Sequence, residues 1–214
     1  MQKVIFWDVD TQVDFMMHVG KLSVPGAEEI IPNLSRLTSF AREKSVPIFG
    51  SVDYHSMKDP EISENADFRE TFPPHCLQGT PGQEKIPASA PKNPLWIEST
   101  PYNPAELKKM IESHGGEVIF RKQRFDVFSN RNVDAVLSVI DPKAIVVYGV
   151  ALDVCDAHAI EGFLKRGKYT VYLVEDAAKA IRPDEGETLK KDWVSRGVKV
   201  VRTDDVVVKN VLGV

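Results

Sequence analysis

Reactive side chains stand directly after four apolar, strand-like segments of this chain. Asp10, Lys122 and Cys155 each follow one of these segments, and the pair Asp53 and His55 follows the fourth. A thiol can attack a carbonyl carbon, a carboxylate can take up its proton, and an ammonium can hold developing charge. Each residue alone is a common turn or surface residue. Together they predict nucleophilic catalysis by Cys155, with Asp10 as the base and Lys122 as the cation.

Cys155 also stands where a helix would begin. A buried strand is predicted at 145–148, and apolar residues recur at helical spacing over 153–165. The positive end of a helix favours a thiolate, and the free N–H groups of its first turn can hold an oxyanion. A lone cysteine is nevertheless more often a small core residue. The prediction of a nucleophile therefore depends on the other side chains.

Three side chains have the types that hold a metal. Asp53 and His55 alternate along an extended segment and so face the same side, and His75 lies in the long segment that follows. One carboxylate and two imidazoles suit Zn²⁺, and also Mn²⁺ or Fe²⁺. On the residues alone, a turn-capping Asp53 with two histidines on a surface loop is the favoured alternative.

The pattern of elements predicts how these residues would meet. Apolar runs alternate with helical patterns, which indicates an α/β fold with a parallel sheet covered on both faces. Ligands bind such sheets beyond the carboxyl ends of the strands. The segment from about 53 to 103 is irregular, and a loop of that length is often functional. The predicted strands are 4–9, 46–52, 117–121, 145–148, 169–174 and 198–201, and the predicted helices are 30–41, 104–111, 133–140, 153–165, 185–195 and 205–212.

Composition excludes several classes of function. The length of 214 residues fits one domain, 1–214, and the net charge of −4 at pH 7 gives no reason to expect a nucleic-acid partner. No apolar stretch approaches the roughly 20 residues that span a bilayer, and the first residues lack the pattern of a secretory signal. Two cysteines do not form a disulfide framework, so we expect a protein of the reducing cytoplasm.

Four blocks of sequence, in this order, resemble the isochorismatase-like cysteine hydrolases, and most closely their nicotinamidase branch. They are VDTQVDF at 9–15, VDYH at 52–55, FPPHCLQGTPG at 72–82 and GVALDVC at 149–155, and Lys122 stands where the family keeps a lysine. The resemblance covers nearly the whole chain. It implies a doubly wound, three-layer α/β/α domain with six mainly parallel strands in the order 3-2-1-4-5-6, a small-molecule amide as substrate and a homo-oligomer.

The resemblance also implies a role for each reactive residue. Cys155 would attack the amide carbonyl, Asp10 would accept the thiol proton and pass it to the departing ammonia, and Lys122 would lie beside Asp10. The Val150–Ala151 peptide would be cis, and the N–H groups of Ala151 and Cys155 would hold the oxyanion. Water would then hydrolyse the thioester to a carboxylic acid.

The same resemblance implies a metal and a substrate-binding surface. A divalent ion would be held by Asp53, His55 and His75, and it would bind the pyridine nitrogen of nicotinamide. We expect this ion to be Zn²⁺. The residues implied at the substrate are Phe15, Phe72, Phe128, Val150 and Ala151, although simple core packing is an equal alternative for the three rings. Cys76 adjoins His75 and is a less favoured fourth ligand.

Departures from the family pattern keep alternatives open. Leu152, Asp156 and Ala159 differ from the residues usual around the nucleophile, so another small amide, such as an N-carbamoyl compound or a maleamate-like acid, is the nearest rival substrate. Isochorismate hydrolysis is less favoured, because those enzymes generally lack the cysteine. A Cys155–His158 dyad is a further alternative. So is a non-catalytic relative that holds a metal or a partner.

Overall fold

The central sheet is entirely parallel. A computed structural model describes residues 3–214 of the chain. Seven strands form one sheet in the order β3-β4-β2-β1-β5-β6-β7, and every neighbouring pair runs parallel. The strands are β1 Val4–Val9, β2 Ile48–Asp53, β3 Leu95–Ile97, β4 Val118–Lys122, β5 Ala144–Val150, β6 Thr170–Lys179 and β7 Lys199–Val201.

Helices cover both faces of the sheet. The side chains of β1 show why: Trp7 belongs to the apolar cluster on one face of the sheet, whereas Phe6 belongs to the cluster on the other face. Alternate residues of a strand face opposite sides, so a strand that is apolar throughout requires cover on both. The helices are α1 Val13–Met16, α2 Ile31–Glu43, α3 Pro104–Ser113, α4 Val133–Ile140, α5 Cys155–Arg166, α6 Pro183–Ser195 and α7 Thr203–Val207.

The predicted α/β fold and strand order are confirmed, with one additional strand. Strand β3 lies at the edge of the sheet, inside the segment that we predicted to be irregular. It has three residues, two of them only partly buried, so it carries too little apolar pattern to be recognised. Helix α5 begins at Cys155 rather than at 153. Helix α7 begins earlier than predicted, and the Asp205 carboxylate in its first turn accepts the backbone N–H of Arg202 at 2.8 Å.

The order of the strands brings the reactive residues to one edge. Strands β4, β2, β1 and β5 are consecutive neighbours, and their carboxyl ends lie together. The strands that follow β1 in the chain are first added on the β2 side of β1 and, from β5 onward, on its other side. The strand order therefore reverses beside β1. Open α/β sheets bind ligands at such a point. Among the described residues, no helix has the length and apolarity needed to cross a membrane.

Candidate active site

A buried lysine connects the groups at the carboxyl edge of the sheet. Lys122 is the last residue of β4, and its side chain is fully buried. Its ammonium lies 2.8 Å from a carboxylate oxygen of Asp10 and also forms an ion pair with Asp53. The same nitrogen lies 3.6 Å from the sulfur of Cys155. One cation at the end of β4 therefore serves two carboxylates and a thiol that come from three other strand ends.

Asp10 is held from both sides. It follows β1 with a φ of 45°, in the left-handed region that few residues other than glycine adopt. Its carboxylate accepts a 2.7 Å hydrogen bond from the hydroxyl of Ser51 in addition to the ion pair with Lys122. The backbone N–H of Gln12 donates to the Asp10 carbonyl at 2.7 Å and closes the turn. The carboxylate is thus directed at the sulfur.

Cys155 is the first residue of α5 and is nearly inaccessible to solvent. Its sulfur and one carboxylate oxygen each of Asp10 and Asp53 lie within 4.8 Å of one another. Burial raises the pKa of the Cys155 thiol well above its ordinary value, and the two carboxylates raise it further, against the effect of Lys122. Burial and the carboxylates therefore favour the neutral thiol, so a base beside the sulfur is needed to form the thiolate.

The segment before Cys155 presents free backbone N–H groups. The Val150–Ala151 peptide is cis, as predicted. Among the described residues, no acceptor takes the N–H of Ala151 or of Cys155. The Asp153 carboxylate fixes this segment by accepting the N–H groups of Ile181 and Arg182 at 2.8 and 2.9 Å. Two unpaired N–H groups beside a nucleophile can stabilise an oxyanion.

The predicted metal residues converge. Asp53, His55 and His75 are all buried, and each offers a ligand atom within 4.8 Å of the other two. The Nε2 atoms of the two imidazoles lie 3.6 and 3.5 Å from the same Asp53 oxygen. The His75 Nδ1 is 2.7 Å from the Pro73 carbonyl. If Nδ1–H donates to this carbonyl, the lone pair of Nε2 faces the cluster.

The donor set fits a divalent ion. Both ring nitrogens of His55 are buried without a hydrogen-bond partner. A bound ion would supply a partner for Nε2, whereas Nδ1 lies 3.4 Å from the carboxylate of Asp59. Burial opposes ionisation of Asp53, but Lys122 and the two histidines outweigh it and hold its pKa well below the ordinary value. Asp53 therefore stays anionic, with one oxygen on Lys122 and the other facing the histidines.

A second cluster of ligand-type atoms is already filled by a cation. Asp10, Asp53 and Cys155 also satisfy the spacing of a metal site. The Lys122 ammonium contacts all three, and the carboxylates raise its pKa well above the ordinary value although burial acts in the opposite direction. A permanently charged ammonium excludes a metal ion from this place.

The sulfur faces a small chamber. Its volume is about 20 Å³, which is room for about one water molecule. The side chains of Leu22, Phe72 and Ile181 also line a larger outer cavity of about 680 Å³. The chamber and the outer cavity therefore share part of their lining. The chamber is lined by Phe15, Leu22, Val24, Asp53, Phe72, His75, Phe125, Ala151, Val154, Cys155 and Ile181.

The structure corrects one predicted substrate ring. Phe15, Phe72 and Ala151 line the chamber, but Phe128 does not. Its ring packs against Gly162, where a Cβ would come within 2.0 Å, and lies 3.5 Å below the guanidinium of Arg166. The turn at Val127–Ser129, capped by Asp126, directs Phe128 to the outer side of α5. Phe125 lines the chamber instead, and Val150 contributes its peptide but no lining side chain.

Two buried polar residues at the site were not assigned a role from the sequence, although Gln12 lies in the block at 9–15. Gln12 joins three segments: its amide accepts the Asp53 N–H and donates to the carbonyls of Asp53 and Gln83, all within 2.8 Å. Glu61 is buried, accepts the Phe125 N–H at 2.8 Å and leaves its other oxygen unpaired. Burial raises the pKa of Glu61 to about 7, against the effect of Lys122. Both lie in or beside irregular segments, where periodicity gives no guidance.

The remaining residues in question lie apart from the reacting atoms. Cys76 is buried with its sulfur 3.8 Å from the Gly82 carbonyl, and its N–H donates to Asp14. The ring of His158 stacks on that of Phe125, with centroids 6.1 Å apart. His158 lines an outer surface groove rather than the chamber. The geometry thus favours Asp10, and not His158, as the partner of Cys155.

Comparison with known proteins identifies the relatives of this chain. The family model described as the isochorismatase domain matches residues 5–106 and 96–205. An N-carbamoylsarcosine amidase from Arthrobacter sp. is 27% identical over 68% of this chain and 48% of its own length. The chain thus matches about half of that relative. A probable inactive nicotinamidase from Arabidopsis thaliana is 21% identical over 89% of this chain and 88% of its own length.

A solved structure agrees over almost the full chain. The pyrazinamidase of Pyrococcus horikoshii, determined in complex with zinc, is 26% identical. It superposes with a TM-score of 0.74 and covers 94% of this chain and 99% of its own. The relatives thus include amidases that differ in substrate and one protein considered inactive.

Proposed function

Because this chain belongs to the isochorismatase family, we propose that it is a metal-dependent cysteine amidohydrolase whose substrate is nicotinamide, converted to nicotinate and ammonia. The observation that carries the proposal is the contact of one buried ammonium with Asp10, Asp53 and Cys155. Members of this family include amidases. The shared ammonium connects a nucleophile, Cys155, to a base, Asp10, and to a residue that can bind a metal ion, Asp53.

The first half of the reaction forms a thioester. Asp10 takes the proton from the Cys155 thiol as the sulfur attacks the carbonyl carbon of the amide. The N–H groups of Ala151 and Cys155 donate to the oxyanion. Asp10 then gives its proton to the amide nitrogen, the C–N bond breaks and ammonia leaves. Lys122 keeps its charge throughout and stabilises the thiolate as it forms.

The second half returns the enzyme to its starting state. A water molecule enters the place that ammonia has left, and Asp10 accepts one of its protons as the oxygen attacks the thioester carbon. The C–S bond breaks, and Asp10 returns the proton to the Cys155 sulfur. The products are a carboxylic acid and a regenerated thiol, so the atoms and protons balance over the cycle.

Asp53, His55 and His75 would hold the ion. When bound, a divalent metal supplies a Lewis acid that orients a substrate nitrogen, and it does not generate the nucleophile. One oxygen of the Asp53 carboxylate faces the metal-binding position and the other contacts Lys122. Asp53 thereby fixes the metal-binding position and Lys122 relative to the sulfur of Cys155. Zn²⁺ is our expectation for its identity, and the zinc complex of the Pyrococcus relative supports it.

A second candidate substrate has a specific observation in its favour. The relative from Arthrobacter sp. is an N-carbamoylsarcosine amidase, so an N-carbamoyl compound is the rival to nicotinamide. The chamber favours nicotinamide, since Phe15, Phe72 and Phe125 line it with aromatic faces. The assembly into homo-oligomers and the location in the cytoplasm stay predictions.

Ammonia release from a panel of amides tests the proposal. Nicotinamide, pyrazinamide and two N-carbamoyl amino acids are offered to the protein loaded with Zn²⁺ or Mn²⁺ and to the same protein after a chelator. We expect turnover of nicotinamide that the chelator suppresses and that the metal restores. Turnover of the carbamoyl compounds alone would transfer the proposal to the rival substrate. No turnover of any amide would favour a non-catalytic relative, such as the Arabidopsis protein is considered to be.

A further inference from the structure

A second buried lysine lies behind the catalytic base, and the mechanism above does not use it. Lys85 comes from the long loop between β2 and β3, and its side chain is 1% exposed. Its ammonium lies 3.0 Å from a carboxylate oxygen of Asp8, 3.1 Å from the hydroxyl of Thr11 and 3.5 Å from the Asp8 carbonyl. All three of its protons thus have an acceptor.

The acceptors of Lys85 flank the base on both sides. Asp8 and Thr11 bracket Asp10 in the chain, and Thr11 donates to the Asp8 carboxylate at 2.8 Å. The Thr11 hydroxyl also lies 2.6 Å from that of Ser89. The turn that holds Asp10 in its left-handed conformation is therefore closed by side chains, with Lys85 at the centre.

Backbone hydrogen bonds also connect the loop that carries Lys85 to the segment after Asp10. Gln12 and Lys85 form an antiparallel bridge. The Val13 N–H donates to Glu84, and the Ile86 N–H donates to Thr11, at 2.8 and 3.0 Å. The segment 84–86 thus runs along 11–13, directly after the base.

The energetics favour a role in positioning over a role in stability. A buried ion pair loses the solvation of both charges, and an apolar pair of similar size is often as stable or more stable. Burial in fact raises the pKa of Asp8 above its ordinary value in spite of Lys85. Apolar contacts are not directional, whereas hydrogen bonds are. The three hydrogen bonds of Lys85 therefore fix the conformation of the turn, and methyl groups in their place would let it relax.

We propose that Lys85 is a positioning residue, which holds the turn 8–11 through Asp8 and Thr11 so that the Asp10 carboxylate stays directed at Cys155. This inference rests on the proposed function, in which Asp10 is the base. It adds a residue of the long loop to the determinants of the reaction.

The test replaces the ion pair by an apolar pair. We expect Asp8→Leu/Lys85→Met to unfold within about 5 °C of the wild type, because the two desolvation costs disappear together. Its kcat should fall by roughly tenfold to a hundredfold, since a small displacement of a reacting group has effects of this size. KM should stay within about twofold, because the substrate contacts are unchanged.

A matched control uses another ion pair, at the opposite edge of the sheet. Arg42 of α2 pairs with Glu117, which precedes β4, at 2.8 and 3.2 Å. Arg42→Met and Glu117→Gln should lower Tm and leave kcat unchanged. If the kcat of the Asp8→Leu/Lys85→Met protein equals that of the wild type, the proposal is wrong.

If the double variant does not fold, a second pair of variants tests the proposal. Thr11→Val preserves shape but removes the hydroxyl that Lys85 and Asp8 share, and Thr11→Ser retains it. We expect Thr11→Val to lower kcat and Thr11→Ser to restore it, and equal kcat values would overturn the inference.

Hydrogen exchange separates this inference from the proposed function. If the wild type hydrolyses no amide, the proposed function fails, and exchange at the Gln12 and Val13 amides decides alone. Faster exchange at these two amides in Thr11→Val than in Thr11→Ser supports the positioning role. Equal exchange in the two variants contradicts it.

Discussion

Replacement of Lys122 by methionine is the most direct test of the site. Lys122→Met preserves the length and the apolar stem of the side chain but removes its charge. The carboxylates of Asp10 and Asp53 would then face each other in the interior without their shared cation. The removal of one partner from a buried ion pair costs about 3–5 kcal/mol of unfolding free energy. Because one ammonium serves two carboxylates here, we expect the upper part of that range.

The expected loss is large enough to measure simply. For a chain of this length, 1 kcal/mol corresponds to about 2–4 °C in Tm. A loss of about 4–5 kcal/mol therefore lowers Tm by roughly 8–20 °C. Thermal unfolding followed by circular dichroism measures this shift. Ammonia release on the same sample should fall below detection, since the thiolate and both carboxylates lose their counter-charge.

Two controls separate the charge effect from a packing effect. Lys122→Met/Asp10→Asn removes one of the two stranded carboxylates and should recover part of the lost Tm. Lys143→Met removes a lysine that pairs with Asp141 at the surface, where such pairs contribute about 1 kcal/mol or less. A Lys122→Met protein with a Tm within about 2 °C of the wild type and with turnover would refute the assigned role of this lysine.

Three further outcomes follow from the same geometry. Asp10→Asn should lower kcat by roughly 10²–10⁴-fold, whereas His158→Ala should keep near-normal ammonia release; the reverse ranking would make His158 the base of Cys155. His75→Ala should weaken Zn²⁺ binding in competition with a chromophoric chelator and raise KM more than it lowers kcat; unchanged zinc affinity would remove His75 from the site. Asp156 is buried without a hydrogen-bond partner, and burial raises its pKa well above 3.8. The folded state therefore keeps a proton that the unfolded state releases. As a result, the free energy of unfolding of the wild type falls as the pH rises above 3.8. The Tm advantage of Asp156→Asn should therefore grow from about pH 4 to about pH 8, and a constant difference would mean that Asp156 is not buried as a neutral acid.

The sequence alone was sufficient for the scaffold and the reacting groups. Continuous apolar runs separated by helical patterns can be buried only in a parallel sheet with helices on both faces. The carboxyl ends of such strands share one edge, and the strand order implied by the family resemblance makes the strands before Lys122, Asp10 and Cys155 near neighbours on that edge. The resemblance to the isochorismatase-like hydrolases, and not the residues alone, predicted that Asp53, His55 and His75 hold one ion, and the structure brings these three residues within reach of one ion.

Only the tertiary structure decided how these groups are charged and which side chains surround them. Burial raises the pKa of the Cys155 thiol, and the depth of burial is set by the packing of the whole fold. Phe125 rather than Phe128 lines the chamber, because Phe128 lies in the turn that Asp126 caps and packs against α5 instead. The pairing of Asp8 with Lys85 joins residues 77 positions apart. Such contacts are set by long-range packing, and neither periodicity nor motif spacing encodes them.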